Sequence, residues 1–484
     1  VLVEKLLRSC PQVEAIYVLI RDKRGKSAEQ RVAKILEEKL FDPLRATNPE
    51  SLSKVKIISG DLLEPKIVSQ EKDRQLLYEK INVVIHSAAS VRFNEPLRDS
   101  VEVNLRATLK VLELATAMKA LKSIVHVSTA YSHCYLEKVE EELYPCNMEP
   151  RQLMSLCDWM SNELLEELTP KLLEDRPNTY TYTKALAENL VGEYIGQLPI
   201  VIVRPSIITG AMTEPLPGWV DNYNGPNGLM VALRTGVLTT LYTHLECIAD
   251  LTPVDSVANT ILAAARRTPD DFKVYNCTSS THNPIKWGTF IEEGIKFVQH
   301  SPLASNVRYP EPGCTSVRLL HQTRLFFNHY VVARVLDMGL RLVGKKPALL
   351  PIYRRLANSM DLLEFFITHE WHIHNDNTRA LFDELSAADQ AEFNFNAASI
   401  DWLDYVQTYC NGIRRFILKE DEGNLEQRRR RLTRVKYMGY ATNALVALTA
   451  WKTLCALLPC SELTGLRKTH PHTRPPTVIL NICA

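Results

Sequence analysis

The chain has no surplus of either charge: its 484 residues carry 57 Lys+Arg and 56 Asp+Glu, a formal +1. Without a basic field, the global case for a nucleic-acid partner disappears. There is no C-x-x-C pair, and eleven cysteines, an odd number, are scattered along the chain. That usage suits reduced thiols in a cytosol-facing protein better than a secreted disulfide framework. There is no initiator methionine and no signal peptide, and residues 1–8 read as a helix already under way. The expectation is an N-terminally truncated chain. No G-x-S-x-G elbow surrounds Ser128, so the nearby His126 and His133 do not make a hydrolase. The run His369-Glu370-Trp371-His372-Ile373-His374 misses the H-E-x-x-H spacing because isoleucine stands at 373, and no metal site is expected.

What is present is ordinary in bulk, 45% apolar and 23% charged, and long enough for two or three domains. Short β-branched runs at 15–20, 55–59, 82–86, 124–127, 199–203 and 273–276 alternate with helical patterns such as 27–40, 101–120 and 184–195. Continuous apolar strands separated by helices predict a doubly wound, Rossmann-type α/β domain with a parallel sheet. Its first strand and glycine-rich phosphate loop, which belong before the helix at Val1, are not in the sequence. Gly25-Lys26-Ser27 does not replace that loop, since the upstream glycine it needs falls at Ile20. Residues 1–300 are expected to form this domain, with substrate-binding insertions near 141–176 and 205–250. Residues 301–349 read as a connecting segment, 350–436 as a small helical domain and 437–459 as a membrane helix or interfacial segment. Arg428–Arg431 precede that apolar stretch, which places its basic flank on the cytosolic side.

In such sheets ligands sit beyond the carboxyl ends of the strands. Arg21, Lys23 and Arg24 follow the first run, and cations there suit a 2′-phosphate, which points to NADPH despite Asp22 among them. Small residues after the third run let the cofactor approach the backbone. After the fourth run come Ser128 and Thr129, hydroxyls placed to donate to a substrate carbonyl. Farther on, Tyr180 and Lys184 are spaced i, i+4 at the start of a helix and share one face. A neighbouring ammonium lowers the ~10 pKa of a phenol, so the pair reads as a proton donor drawn toward working pH. Tyr182 faces elsewhere.

The segments AIYVLIRDKRGK (15–26), HSAASVRF (86–93), VSTAY (127–131), NTYTYTKALAE (178–188), VRPSIITG (203–210) and EPLPGWVDNYNGPNG (214–228) resemble the fatty acyl-CoA reductases, within the extended short-chain dehydrogenase/reductases. The resemblance spans nearly the whole chain, and its basic flank and hydrophobic tail are similar to arthropod members. It implies Tyr180 as general acid, Lys184 as its partner and ribose ligand, and the hydroxyl position in Ser128-Thr129, with Thr129 favoured and Ser128 kept. Asp61 and Leu62 match the adenine-contacting position, Ala88 and Ala89 the cofactor-lining turn, and Asn104 the superfamily asparagine. Pro205 and Ser206 match the strand end near nicotinamide.

The implied reaction is NADPH-dependent reduction of a long-chain fatty acyl-CoA through a hemithioacetal and an aldehyde to a primary alcohol. The competing expectation is a non-catalytic lipid or acyl-CoA-binding protein that keeps the fold. The leucine-rich insert 141–176 is read either as a channel lid or as ordinary helix packing. The implied partners are the acyl-CoA and membrane lipid, at the endoplasmic reticulum or peroxisome with the active domain facing the cytosol, or peripherally bound from the cytoplasm. The C-terminal Asn481-Ile482-Cys483-Ala484 resembles neither organelle's retention address.

Overall fold

A computed structural model describes residues 1–266, 272–304, 306–347, 349–420 and 423–457. Strands β1 (Ile16–Ile20) and β2 (Val55–Ser59) pair in parallel, with Ile16 opposite Val55. A second parallel sheet holds β3 (Val83–His86), β4 (Ser123–Val127), β5 (Ile200–Pro205) and β6 (Lys273–Cys277) in the order β6-β5-β4-β3. The expected single sheet is thus two parallel pieces, with no ladder joining β1 to β3 among the described residues.

Strands β4 and β5 are buried throughout, and their alternating side chains explain why helices cover both faces. Ile124, Ile200, Ile202 and Val274 pack on one side against Leu105, Leu112, Tyr182 and Leu186. Val125, Val127, Val201 and Val203 pack on the other against Val257 and Ile261 of the helix Val254–Arg266. Each such aliphatic side chain, fully buried, contributes roughly 1.5–3 kcal/mol of transfer free energy. The first cluster also takes up Leu153, Met154, Cys157, Leu165 and Leu172 from the helices Pro150–Trp159 and Asn162–Leu173. The insert 141–176 is therefore core packing, and the lid reading is not what its buried leucines do.

The C-terminal helices close on the same domain. Gly218 adopts φ +75°, and a Cβ there would lie 2.4 Å from the Thr408 carbonyl oxygen. Across from it, a Cβ on Gly412 would lie 1.8 Å from the Gly218 carbonyl oxygen. The Pro217-Gly218-Trp219 motif is thus a joint, where the backbone meets the helix Trp402–Gly412 without intervening side chains. Tyr405 donates to the Gly210 carbonyl at 2.7 Å from that helix. The histidine run forms the short strand His372–Ile373 against Lys138–Val139, and no metal-binding group occurs among the described residues.

Two expectations change. Residues 318–342 are not a connector but a helical arm, Arg318–Leu325, Phe326–Val331 and Val332–Leu342, its middle stretch a π-helical turn. The tail is helical from Leu425 to Leu457, yet no helix among the described residues is long and apolar enough to cross a membrane. Residues 458–459 and Asn481–Ala484 lie outside the described residues.

Candidate active site

The helix Thr179–Gly192 begins where the Asn178 side chain accepts from the Thr181 N–H at 2.9 Å. Its two faces separate cleanly by period. Tyr182, Leu186 and Leu190 enter the core, while Tyr180, Lys184 and Glu188, each four residues apart, turn toward the end of β4. Lys184 Nζ donates to the Val127 carbonyl at 2.8 Å, and the Tyr180 phenol faces the Thr129 hydroxyl. The hydroxyls of residues 129 and 180 therefore meet in one place.

Burial pushes the Tyr180 phenol up to about 12, opposed by the Thr129 hydroxyl. The expected lowering by Lys184 is overturned: loss of hydration raises the phenol, and the group acting against it is Thr129 rather than the ammonium one turn away. Lys184 is itself pushed down to about 8 by burial, with the Glu188 charge acting against that. The neighbouring His86 is driven down to about 3, by burial first and then by Lys184.

Ser128 goes elsewhere. Its hydroxyl donates to Glu188, which also accepts from Ser132 Oγ at 3.0 Å and Arg204 Nε at 2.9 Å, and pairs with His133 Nε2 at 3.0 Å. Arg204 adds a second bond to the carboxylate and donates to the Glu140 and Glu142 carbonyls at 3.1 and 2.7 Å. Burial alone would raise Glu188, but Arg204 and His133 hold it well below the usual carboxylate range. Adjacent residues in an extended segment point to opposite sides, so Ser128 and Thr129 cannot serve the same site.

Among the residues expected to meet the cofactor, Arg21 Nη1 pairs with Asp61 Oδ2 at 2.9 Å, and Asp61 Oδ1 accepts from the Leu63 N–H. Lys23 and Lys26 exchange backbone hydrogen bonds across Arg24 (φ 53°) and Gly25 (φ 72°), a tight hairpin that leaves Lys23 and Arg24 exposed. Asp22 is not directed at a ribose: its carboxylate accepts from the Ala28 N–H at 2.8 Å, at the start of the helix Ala28–Leu36. Leu62 is held through its carbonyl by Lys110 Nζ at 3.1 Å, which also reaches the carbonyls of Leu63 and Glu64. Ala88 is exposed and Ala89 half-buried. Asn104 is buried on a π-helical turn (Val101–Arg106), accepts from Ser90 N–H at 2.8 Å and donates to Thr183 Oγ1 at 3.0 Å. It ties the turn carrying Ala88 and Ala89 to the Tyr180 helix. Pro205 ends β5 opposite Cys277, and Ser206 Oγ bonds Thr252 Oγ1 at 2.7 Å. The small-residue turn and the exposed, open strand end beyond β1 fit a nicotinamide dinucleotide.

An aromatic wall beside Tyr180 has no local signature in the sequence. Phe93 lies 5.6 Å from the Tyr180 ring and 5.3 Å from Phe366, centroid to centroid. Tyr131 packs edge-on to Phe366 and Trp371 at 5.1 and 5.2 Å. Phe366 and Trp371 are more than 180 residues from Tyr180, so no local pattern links them. Glu188 and Arg204 were also missed as a pair, although the i, i+4, i+8 series Tyr180-Lys184-Glu188 was a readable signal.

Residues 1–261 match the NAD-binding part, and residues 328–420 the "Sterile" part, of the family described as "Male sterility protein". Fatty acyl-CoA reductase 1 of Xenopus laevis is 41% identical over 94% of this chain and 89% of its own length. The Homo sapiens protein of the same name is 38% identical, and fatty acyl-CoA reductase 2 of Mus musculus 38%, each with the same coverage. Among solved structures, the terminal R domain of the myxalamid PKS-NRPS pathway aligns with TM-score 0.56 at 20% identity, covering 85% of this chain and 86% of that one. The reductase domain of a Mycobacterium tuberculosis nonribosomal peptide synthetase gives 0.55 at 16%, covering 85% and 88%. These two share the reductase-type Rossmann fold, and the domain takes a nicotinamide cofactor. With its Tyr180-Thr129 contact at the end of that fold's sheet, the chain belongs to the fatty acyl-CoA reductase family.

Proposed function

We propose that this enzyme reduces a long-chain fatty acyl-CoA to the primary alcohol with NADPH, and that Tyr180, Thr129 and Lys184 carry the chemistry. The observation that carries the reading is that the Tyr180 phenol faces the Thr129 hydroxyl at the end of β4, on the helix face that also carries the buried Lys184. A bound reduced nicotinamide supplies the hydride to the carbonyl carbon. Tyr180 and Thr129 donate hydrogen bonds to the carbonyl oxygen as its negative charge develops, in a site dry enough to strengthen both. Tyr180 then releases its proton to that oxygen, and Lys184 stabilises the phenolate left behind. The same donors serve twice, with one NADPH consumed each time: first on the thioester, whose hemithioacetal returns its proton to the Tyr180 phenolate as it expels the coenzyme A thiolate, and then on the aldehyde. Phe93, Phe366, Tyr131 and Trp371 keep water from the reacting atoms.

NADPH is preferred over NADH because Lys23 and Arg24 are exposed beyond β1, while Asp22 is committed to a helix start. Asp61, Leu62, Ala88, Ala89, Arg21, Pro205 and Ser206 line the cofactor crevice, and Asn104 positions its turn. The enzyme works at an intracellular membrane, endoplasmic reticulum or peroxisome, with this domain toward the cytosol. Peripheral contact suits the tail better than a span. To test the reaction, full-length protein is incubated with NADPH or NADH and acyl-CoAs of graded length, and products are identified by mass spectrometry. Fatty alcohol from the wild type and none from Tyr180→Phe, with NADPH still bound, is the expected result. Equal alcohol from both would end the assignment of the acid.

A further inference from the structure

The helical arm 318–342 is amphipathic the wrong way round for a water-facing helix. Its inner stripe is polar or small: His329, Ala333 and Asp337, spaced i, i+4, i+8, are all buried. His329 Nε2 bonds Thr239 Oγ1 at 2.6 Å and its ring stacks on Tyr353, while Asp337 accepts from the N–H groups of Leu349 and Leu350 at 3.0 and 2.9 Å. The outer stripe is apolar: Phe327, Val331, Val335, Met338 and Leu342 all face outward, Met338 60% and Leu342 83% exposed. Leu319, Leu320 and Phe326 extend it toward the start of the arm. An apolar face of this length on the outside of a protein marks a docking surface.

The charge around it says what docks. Residues 317–346 hold six basic side chains, Arg318, Arg324, Arg334, Arg341, Lys345 and Lys346, against one acid, Asp337, which is buried. Arg334, Arg341, Lys345 and Lys346 are exposed at the margins of the stripe. A second copy of the same patch would set cation against cation, whereas a bilayer with anionic headgroups complements both the apolar stripe and its basic rim. The arm also neighbours the basic start of the terminal helix. Arg308 donates to the Asn328 carbonyl at 3.2 Å, and the adjacent Tyr309 ring lies 4.4 Å from Lys436 Nζ.

We infer that the arm 318–342 lies in the interface of an anionic phospholipid bilayer, its Phe327–Leu342 stripe among the acyl chains and its cations at the headgroups. This goes beyond tail contact, because it places the catalytic domain itself on the membrane surface. The test is flotation of the full-length protein with phosphatidylserine-containing vesicles and with pure phosphatidylcholine vesicles. Val335→Glu/Met338→Glu/Leu342→Glu should weaken association with the anionic vesicles at least about tenfold, and Arg334→Gln/Arg341→Gln by roughly tenfold. The apolar exchange Val335→Leu/Met338→Leu should bind as wild type, and all variants should reduce acyl-CoA in detergent at the wild-type rate. Unchanged flotation of the Glu triple variant would overturn the inference. So would a wild-type dimer in sedimentation, without vesicles, that the same variant dissociates.

Discussion

The helix Thr179–Gly192 and the arm 318–342 both turn polar groups inward, for opposite reasons. In the first, Lys184 and Glu188 are buried among partners that satisfy them: the Val127 carbonyl, Ser128, Ser132, His133 and Arg204. Its apolar face is buried too, by Tyr182, Leu186 and Leu190. In the second, the inward polar groups serve as anchors, and the apolar face is left uncovered. An inward ionisable group is costly unless it is paired, so the first helix depends on those partners. An outward apolar stripe costs little in the monomer and is available to something else.

The largest effect that sharpens this contrast is Tyr180→Phe, which should lower alcohol formation by about 10³-fold in a product assay while cofactor binding persists. Next comes Glu188→Gln. It leaves Arg204 buried with a neutral partner and should destabilise the fold by about 3–5 kcal/mol, measured by denaturant unfolding. Leu186→Ala, on the opposite face, should cost a comparable 2–5 kcal/mol through its cavity, roughly, without moving the pH profile. If Glu188→Gln proved neutral, the buried pair would not be what the site depends on.

Thr129→Val and Ser128→Ala separate the two adjacent hydroxyls. The first should cost about 10²-fold in kcat with little loss of stability. The second should cost about 1–3 kcal/mol of stability and leave kcat near wild type. The reverse pattern would exchange their roles.

A smaller effect lies in pH. Lys184, held down to about 8 by burial, keeps its ammonium below that pH and loses it above, so kcat/KM should fall as pH rises through about 8. The charges facing it are Glu188 on its own helix, and His86 and His126 from β3 and β4, both driven to the neutral form chiefly by burial. Lys184→Arg should abolish that alkaline limb. Between about 8 and 10.5 the unfolded chain holds a proton the native lysine has released, so this group makes stability rise with pH there. The smallest effect belongs to the arm: Leu342→Gln should change stability by less than about 0.5 kcal/mol, because the side chain already faces water. A larger loss would mean the stripe is packed after all.

Much of the first domain was legible in the sequence, because strand period and helix period are local. The six expected strands all exist, displaced at their ends by no more than two residues. The Tyr180/Lys184 face followed from i, i+4 spacing alone. Asp22 was less transparent, since whether a carboxylate near a strand end meets a ribose or caps a helix depends on the turn at Arg24-Gly25. The insert 141–176 had leucines for either a lid or a core, and only the neighbours of Leu153 and Leu165 decided between them. The arm was misread as a connector because its apolar-basic mixture has no inward apolar stripe, the feature by which a globular helix is recognised.

The chain's own order of residues determined the parallel strands, the cap at Asn178, the shared face of Tyr180, Lys184 and Glu188, and the glycines at 218 and 412 that permit backbone contact. Each depends on interactions within a few residues or on the steric freedom of one. Only the assembled molecule decided that Thr129 rather than Ser128 meets Tyr180, that burial raises the phenol, and that Phe366 and Trp371 wall the site from the far end of the sequence. Those outcomes rest on desolvation and on contacts between distant segments, which appear only when the chain is packed.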